Sequence, residues 1–184
     1  MATSIDTIRI ETERLILRPP RLEDFDAWAT FAGDEETTRF VGGIQPRAMA
    51  WRSFAAMLGS WHLQGFAMFS AIDRSSGRWV GRLGPWQPEG WPGTEVGWSL
   101  AREAWGKGYA TEGAIAAMDW AVDTLRWTDI IHTIDPANAS SKRVAERLGS
   151  HWIGPGKLPP PYENSPVEIW GQSHRAWRQR RLQQ

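Results

Sequence analysis

The first segment whose residue types could do chemistry is Glu103–Ala114, "EAWGKGYATEGA", where Gly106 and Gly108 bracket Lys107. The pair lies between an apolar run that reads as a strand and an amphipathic run that reads as a helix. A turn of that kind exposes the unpaired N–H groups of the first helical turn, and glycine lets another group approach the backbone closely. Anions bind at such sites. Lys107 adds a full positive charge and Thr111 a hydroxyl near the helix start, so the segment suits a phosphate-bearing ligand, a pyrophosphate above all.

Two nucleotide loops fail against it. A Walker loop needs its lysine after the second glycine, followed by Ser or Thr; here the lysine lies between the glycines and Tyr109 comes next. A dinucleotide fingerprint needs Gly or Ala at its sixth position, where Thr111 stands, within a βαβ unit that the first third of the chain does not resemble. A bare strand-to-helix connection that needs glycine for its geometry is the remaining simple reading.

The elements that must position this turn are legible from periodicity. "RLILRP" (Arg14–Pro19) alternates and ends at a double proline, as an opening strand would. Leu22, Phe25, Trp28 and Phe31 recur at helical spacing, and a second helix is expected over Pro46–Leu63. Phe66–Asp73 and Arg78–Trp86 flank the turn formers "RSSG" as a hairpin. Thr94–Ala101 is the strand before the glycine turn, Thr111–Arg126 the helix after it, Asp129–Asp135 a short buried strand and Ala139–Leu148 a helix stopped by Gly149. A proline-rich loop, "GPGKLPPPYENSP", precedes a last strand, "VEIWGQS". The order predicts one α+β domain with a mixed central sheet flanked by four helices.

Composition narrows the function. The 184 residues, 41% hydrophobic, can close one core. Lys+Arg and Asp+Glu both number 21, so no basic footprint points to nucleic acid. There is no cysteine, which removes thiolate nucleophiles and thiolate metal ligands. His62, His132, His151 and His174 are scattered without metal-ligand spacing. No apolar run is long enough to span a membrane and no leader pattern precedes Glu11, which reads as cytosolic. Thirteen tryptophans are expected mostly to pack, although Trp86, Trp91, Trp98 and Trp105 crowd around the glycine turn.

"EVGWSLAREAWGKGYATEGA" followed by "IDPANASSKRVAERLG" resembles the GNAT superfamily of N-acetyltransferases, in particular the RimJ and RimL branch that acts on ribosomal proteins and small amines. "ETERLILRPPRLEDFDAW" resembles the opening strand and helix of the same branch. The resemblance spans Glu11 to Gly149 and implies acetyl-CoA as acyl donor, its pyrophosphate held by the backbone of Gly106, Lys107, Gly108, Tyr109, Ala110 and Thr111. It implies a sheet splayed between its two central strands, with the pantetheine arm lying along Trp98, Ser99 and Leu100 and Gly97 easing the splay. Asn138 matches the amide that bonds the arm, and is equally placed to cap a helix. The family resemblance also implies an amine acceptor, small molecule or protein N-terminus, and is compatible with a homodimer.

Two positions depart from the family pattern. Glu103 stands where Gln or Arg is usual, and Ala145 where many members carry a tyrosine acid toward the leaving sulfur. Ser141, third after Asn138, matches the serine of the resembled branch. These departures leave open a module that binds acyl-CoA without catalysis.

Acetylating an amine requires removing a proton from a group with a pKa of about 8 to 10.4, and stabilising an oxyanion, for which a strand N–H is the simplest donor. Glu95 is the first candidate base, because it shares a strand face with Gly97 and Ser99. His132 on the facing strand is the second, and a water relay the third. Ser141 is the candidate donor to the departing thiolate. Glu112, in the first helical turn, is expected to be structural. Lys142 and Arg143 could reach a phosphate or simply line a charged face, and the basic tail "HRAWRQRRLQQ" could dock a partner or fray.

Overall fold

The computed structural model describes residues 5–183. Eight strands form one sheet: β1 (Ile10–Glu11), β2 (Leu15–Arg18), β3 (Phe69–Asp73), β4 (Trp79–Trp86), β5 (Glu95–Leu100), β6 (Asp129–Ile134), β7 (His151–Gly156) and β8 (Val167–Ser173), in the order β1-β2-β3-β4-β5-β6-β8-β7. Every pairing is antiparallel except β5 with β6. The helices are α1 (Phe25–Ala32), α2 (Glu35–Thr38), α3 (Arg47–Gln64), α4 (Tyr109–Asp123), α5 (Ala139–Leu148) and α6 (His174–Arg181). The expected α+β class and mixed sheet are what the chain adopts.

Six helices replace the expected four, and α4 runs from Tyr109 to Asp123 instead of Thr111 to Arg126. The extra α6 is the basic tail. It folds back on the body: Trp177 is buried and its Nε1–H donates to Asp119 on α4, 2.9 Å, while Arg178 and Arg181 pair with Asp123 and Asp119. The other omission is β7, hidden because "HWIGPG" carries two glycines and a proline. It survives as an edge strand against β8 with a register shift between Trp152 and Gly154.

The core lies between the sheet and α3 and α4, and tryptophans dominate it. Trp28 and Trp61 are fully buried, and Trp61 donates Nε1–H to Met68 O, 3.0 Å. Helix α4 sits close on β4 because residue 113 is glycine: a Cβ there would run into Leu83. That close seat aims the N-terminus of α4 at the end of β5.

Candidate functional site

The glycine turn forms the left-handed geometry that its sequence allows. Gly106 has φ +73° and Gly108 φ +80°, conformations costly for residues with a Cβ. The first backbone bond of α4 runs from Glu112 N–H to Gly108 O, 3.0 Å, so the N–H groups of Tyr109, Ala110 and Thr111 emerge from the helix end. Residues 105–108 are exposed, and the Tyr109 side chain instead enters the core, its hydroxyl on Asp73 Oδ2. The turn is held from behind by Arg14, whose guanidinium donates to Lys107 O, 2.7 Å, and to Glu112 Oε2, 2.7 Å. Glu112 also accepts from Thr12 Oγ1 and Arg14 N–H, which gives it the expected structural role and clamps the first hairpin to α4.

Beside the turn, β5 and β6 part. They share one registered pair, Glu95 with Ile131, and one flanking bond, Ile131 N–H to Thr94 O, 2.9 Å. A regular parallel ladder would next join Thr133 N–H to Val96 O. Two side chains take the place of that bond. Glu95 Oε1 receives Thr133 N–H at 3.4 Å, and His132 Nδ1 meets Val96 O at 2.7 Å. The splay therefore has its freed backbone groups satisfied at its root.

Strand alternation then sorts the cradle residues. Ala101 N–H bonds Val80 O, 2.9 Å, so along β5 the backbone groups of Glu95, Gly97 and Ser99 face β4, while those of Val96, Trp98 and Leu100 face the gap. Of Trp98, Ser99 and Leu100, along which the arm is expected to lie, the N–H groups of Trp98 and Leu100 open on the gap; that of Ser99 is turned to β4.

Glu95 is 5% exposed, and its Oε2 accepts from Trp91 Nε1, 2.5 Å, and Thr133 Oγ1, 2.9 Å. Burial pushes its carboxyl up to about 7 against those donors, which pull the other way. Gly97 makes the space: a Cβ there would come within 2.9 Å of Glu95 Oε1. His132, the second candidate, lies in a closed network. A carbonyl only accepts, so Nδ1 carries the proton toward Val96 O; Nε2 then accepts from Ser150 Oγ, 2.8 Å, whose oxygen accepts from Gln172 Nε2, 3.0 Å. The ring is 1% exposed, and burial lowers it to about 4. This neutral, occupied imidazole is a brace of the splay.

On the far lip of the gap stands α5. Asn138 Oδ1 caps it by accepting from Ser141 N–H, 3.1 Å, and Ser140 Oγ, 2.8 Å. Ser141 Oγ accepts from Trp98 Nε1, 3.3 Å, a bond from β5 to α5 that leaves the serine proton to be donated elsewhere. Lys142 is paired with Glu168, 2.9 Å, in keeping with the charged-face reading. Ala145 is fully buried, so no acid occupies the place of the absent tyrosine. Glu103 is exposed in a short 3-10 turn, and its neighbour Arg102 pairs with Asp34 and Glu36.

A groove of about 540 Å³ on the outer flank of α4, lined by Ile10, Ile115 and Trp120 among others, shares no residue with the turn or the gap. Its four acids are all engaged, Glu11 with Arg9, Glu112 with Arg14, Asp119 with Trp177 and Arg181, and Asp123 with Arg178.

A splayed parallel pair with a glycine-rich helix entrance at its end is matched by family comparison: residues 14–151 fit the model of the acetyltransferase (GNAT) domain. The chain belongs to the GNAT acetyltransferases. It is similar to Bacillus subtilis (strain 168) protein YkkB, 37% identical over 154 residues that cover 78% of this chain and 86% of that one. The N-acetyltransferase p20 of Bacillus licheniformis is 30% identical over 141 residues, covering 74% and 79% of the two chains. The crystal structure of an acetyltransferase from Agrobacterium tumefaciens str. C58 superposes with a TM-score of 0.78 at 29% identity, covering 94% of this chain and 98% of that one. Within this GNAT chain, sequence reasoning missed three supporting residues. Arg14 braces the glycine turn, while Trp91 and Thr133 hold Glu95. None carries a signal in the sequence, because each acts through a contact between distant elements.

Proposed function

We propose that this GNAT chain acetylates a primary amine from acetyl-CoA by direct attack within a ternary complex, in the manner of the RimJ and RimL branch. The observation that carries the reading is the gap between β5 and β6, rooted at Glu95 and ending at the N-terminus of α4. The residues present suit acetyl-CoA: emergent N–H donors and Lys107 for phosphates, free strand N–H groups for an extended amide arm, Asn138 and Ser141 on the opposite lip. Acetyl-CoA supplies the activated acetyl group. Everything else is done by the chain.

Glu95, held near pKa 7 by burial, takes the proton of the incoming ammonium at neutral pH, directly or through one water. The N–H groups of Trp98 and Leu100, which open on the gap, are the donors the chain offers to negative charge on the acyl oxygen. Ser141, its oxygen fixed by Trp98 Nε1, donates its proton toward the departing sulfur. With no cysteine in the chain, a thioester on the enzyme is not available as an intermediate. No helix among the described residues is long and apolar enough to cross a membrane, and we place the activity in the cytoplasm, as a monomer or homodimer.

The test is a thermal-shift series with acetyl-CoA, CoA, ATP and NAD, followed by thiol release with an amine panel; the absence of cysteine makes thiol detection free of protein background. A ligand at 100 times its Kd stabilises by about 2.7 kcal/mol. Selective stabilisation by the two CoA species is expected, and equal or larger shifts with ATP or NAD would overturn the reading.

A further inference from the structure

Arg82 sits in the middle of β4, registered between Ser70 of β3 and Ser99 of β5. Its guanidinium carbon lies 4.8 Å from the centre of the Trp28 ring and 5.9 Å from that of Phe31. The residue is only partly exposed and its Nε is sealed from solvent without a hydrogen-bond partner. Among the described residues it has no ion pair. The neighbouring carboxylate of Asp24 is already spent: it accepts from Arg18 at 2.7 and 2.8 Å, from Arg21 N–H at 2.9 Å and from Ser70 Oγ at 2.7 Å. Arg82 thus contrasts with Arg18, a buried guanidinium fully matched by protein. A largely enclosed cation without an anion is costly, and a guanidinium presents five donors suited to a carboxylate. Burial lowers Arg82 only to about 10, so it stays charged at neutral pH.

Its placement says what the anion belongs to. Strand pairing puts Arg82 and Ser99 in one row, Gly84 and Gly97 in the next, and Trp86 and Glu95 in the third, all on one face of the sheet. The Cα atoms of Ser99 and Glu95 are about 13 Å apart at 3.3 Å per residue, and the glycine row between them is floored by Met68, whose Cε packs on Gly97, and by the Phe69 ring on Gly84. Glu95 folds its carboxylate back over Gly97, toward Arg82. From the proline-rich loop, Tyr162 is near enough to Arg82 to act on its charge; the loop itself packs Tyr162 beside Gly42 and Pro159 beside Gly90. A base and an unmatched cation therefore stand on one face of the sheet beside the gap.

We propose that the acceptor is an amino-carboxylate, whose amine is presented to Glu95 and whose carboxylate, a few bonds away, is bound by Arg82 against Trp28. The inference rests on the amine-acetylation reading above and names the substrate class for it. An unmodified protein N-terminus, lacking a nearby carboxylate, matches this pair of groups less well than a free amino acid.

The test uses product-like probes that need no turnover. N-acetyl derivatives of glycine, leucine and phenylalanine, each as free acid and as amide, are titrated calorimetrically into the full chain with and without CoA. Wild type is expected to bind at least one acid tenfold or more tighter than its amide. Arg82→Met, which keeps the stem over Trp28, is expected to erase that preference while its thermal shift with acetyl-CoA is unchanged. Arg82→Gln repeats the measurement should the methionine variant fold poorly. Equal binding of acids and amides by wild type, no binding of any acid, or an intact preference in either variant overturns the proposal. Where amino acids turn over, KM for the acid rises in Arg82→Met with kcat little changed. Failure of acetyl-CoA to bind would overturn the acetylation reading instead, and the titrations without CoA judge Arg82 separately.

Discussion

Replacing Glu95 by Gln removes a titration that burial has displaced. The carboxyl is held at about 7 in the folded chain and returns to the ordinary value of 4.5 when unfolded, so between those values the folded state holds the extra proton. Its stabilising contribution is complete below pH 4.5 and is lost as pH rises through 7. A gap of about 2.5 pH units at 1.36 kcal/mol each amounts to about 3 kcal/mol. Glutamine is neutral throughout and keeps an oxygen for Trp91 Nε1 and Thr133 Oγ1, although its amide group meets Thr133 N–H donor to donor, at a cost of about 1 kcal/mol. The variant should therefore be slightly less stable than wild type at pH 4.5 and about 2 kcal/mol more stable at pH 8. For a chain of this length 1 kcal/mol is about 2–4 °C in Tm, so the difference in Tm between the two proteins should climb by about 6–12 °C across that range. The difference isolates this one group from all other titrations. In the acetylation assay the same substitution should cost about 100-fold or more in kcat/KM and remove the limb that rises near pH 7. A Tm difference independent of pH would refute the displaced carboxyl, and a rate within a few-fold of wild type would refute its role as base.

His132 gives the opposite pH signature. Folded at about 4 and unfolded at 6.5, it contributes stability that is present above pH 6.5 and lost as pH falls through 4, so His132→Gln should flatten the acid side of the Tm profile. Asn138→Ala removes the cap of α5 and should cost about 1 kcal/mol, read as a Tm lower by about 2–4 °C, together with weaker acetyl-CoA binding. Trp177→Ala should cost about 3–5 kcal/mol and raise hydrogen exchange across α6, while CoA affinity in the surviving folded protein stays within twofold. If α6 were a docking arm instead of part of the body, that variant would leave Tm unchanged.

What the sequence determined by itself was local. Gly106 and Gly108 specify left-handed backbone because no other residue adopts it so cheaply, and the apolar stripe after them specifies a helix. The alternation of Glu95, Gly97 and Ser99 likewise placed three residues on one face before any contact was known. Boundaries and weakly patterned segments were less legible: β7 is masked by glycine and proline, and α6 by a charge density that reads as solvent until Trp177 finds Asp119. What distinguishes the two candidate bases is visible only in the tertiary structure. Both sit at the root of the splay, but Val96 and Ser150 engage both ring nitrogens of His132, whereas Glu95 keeps an ionisable carboxyl raised by burial. A pKa is set by desolvation and by partners from other strands and loops. The same holds for Arg82, whose lack of a counter-ion becomes visible only when Asp24 is seen to be fully engaged by Arg18 and Ser70. Sequence order records which residues are adjacent along the chain, and the balance of charge in an enclosed space depends on which are adjacent across it.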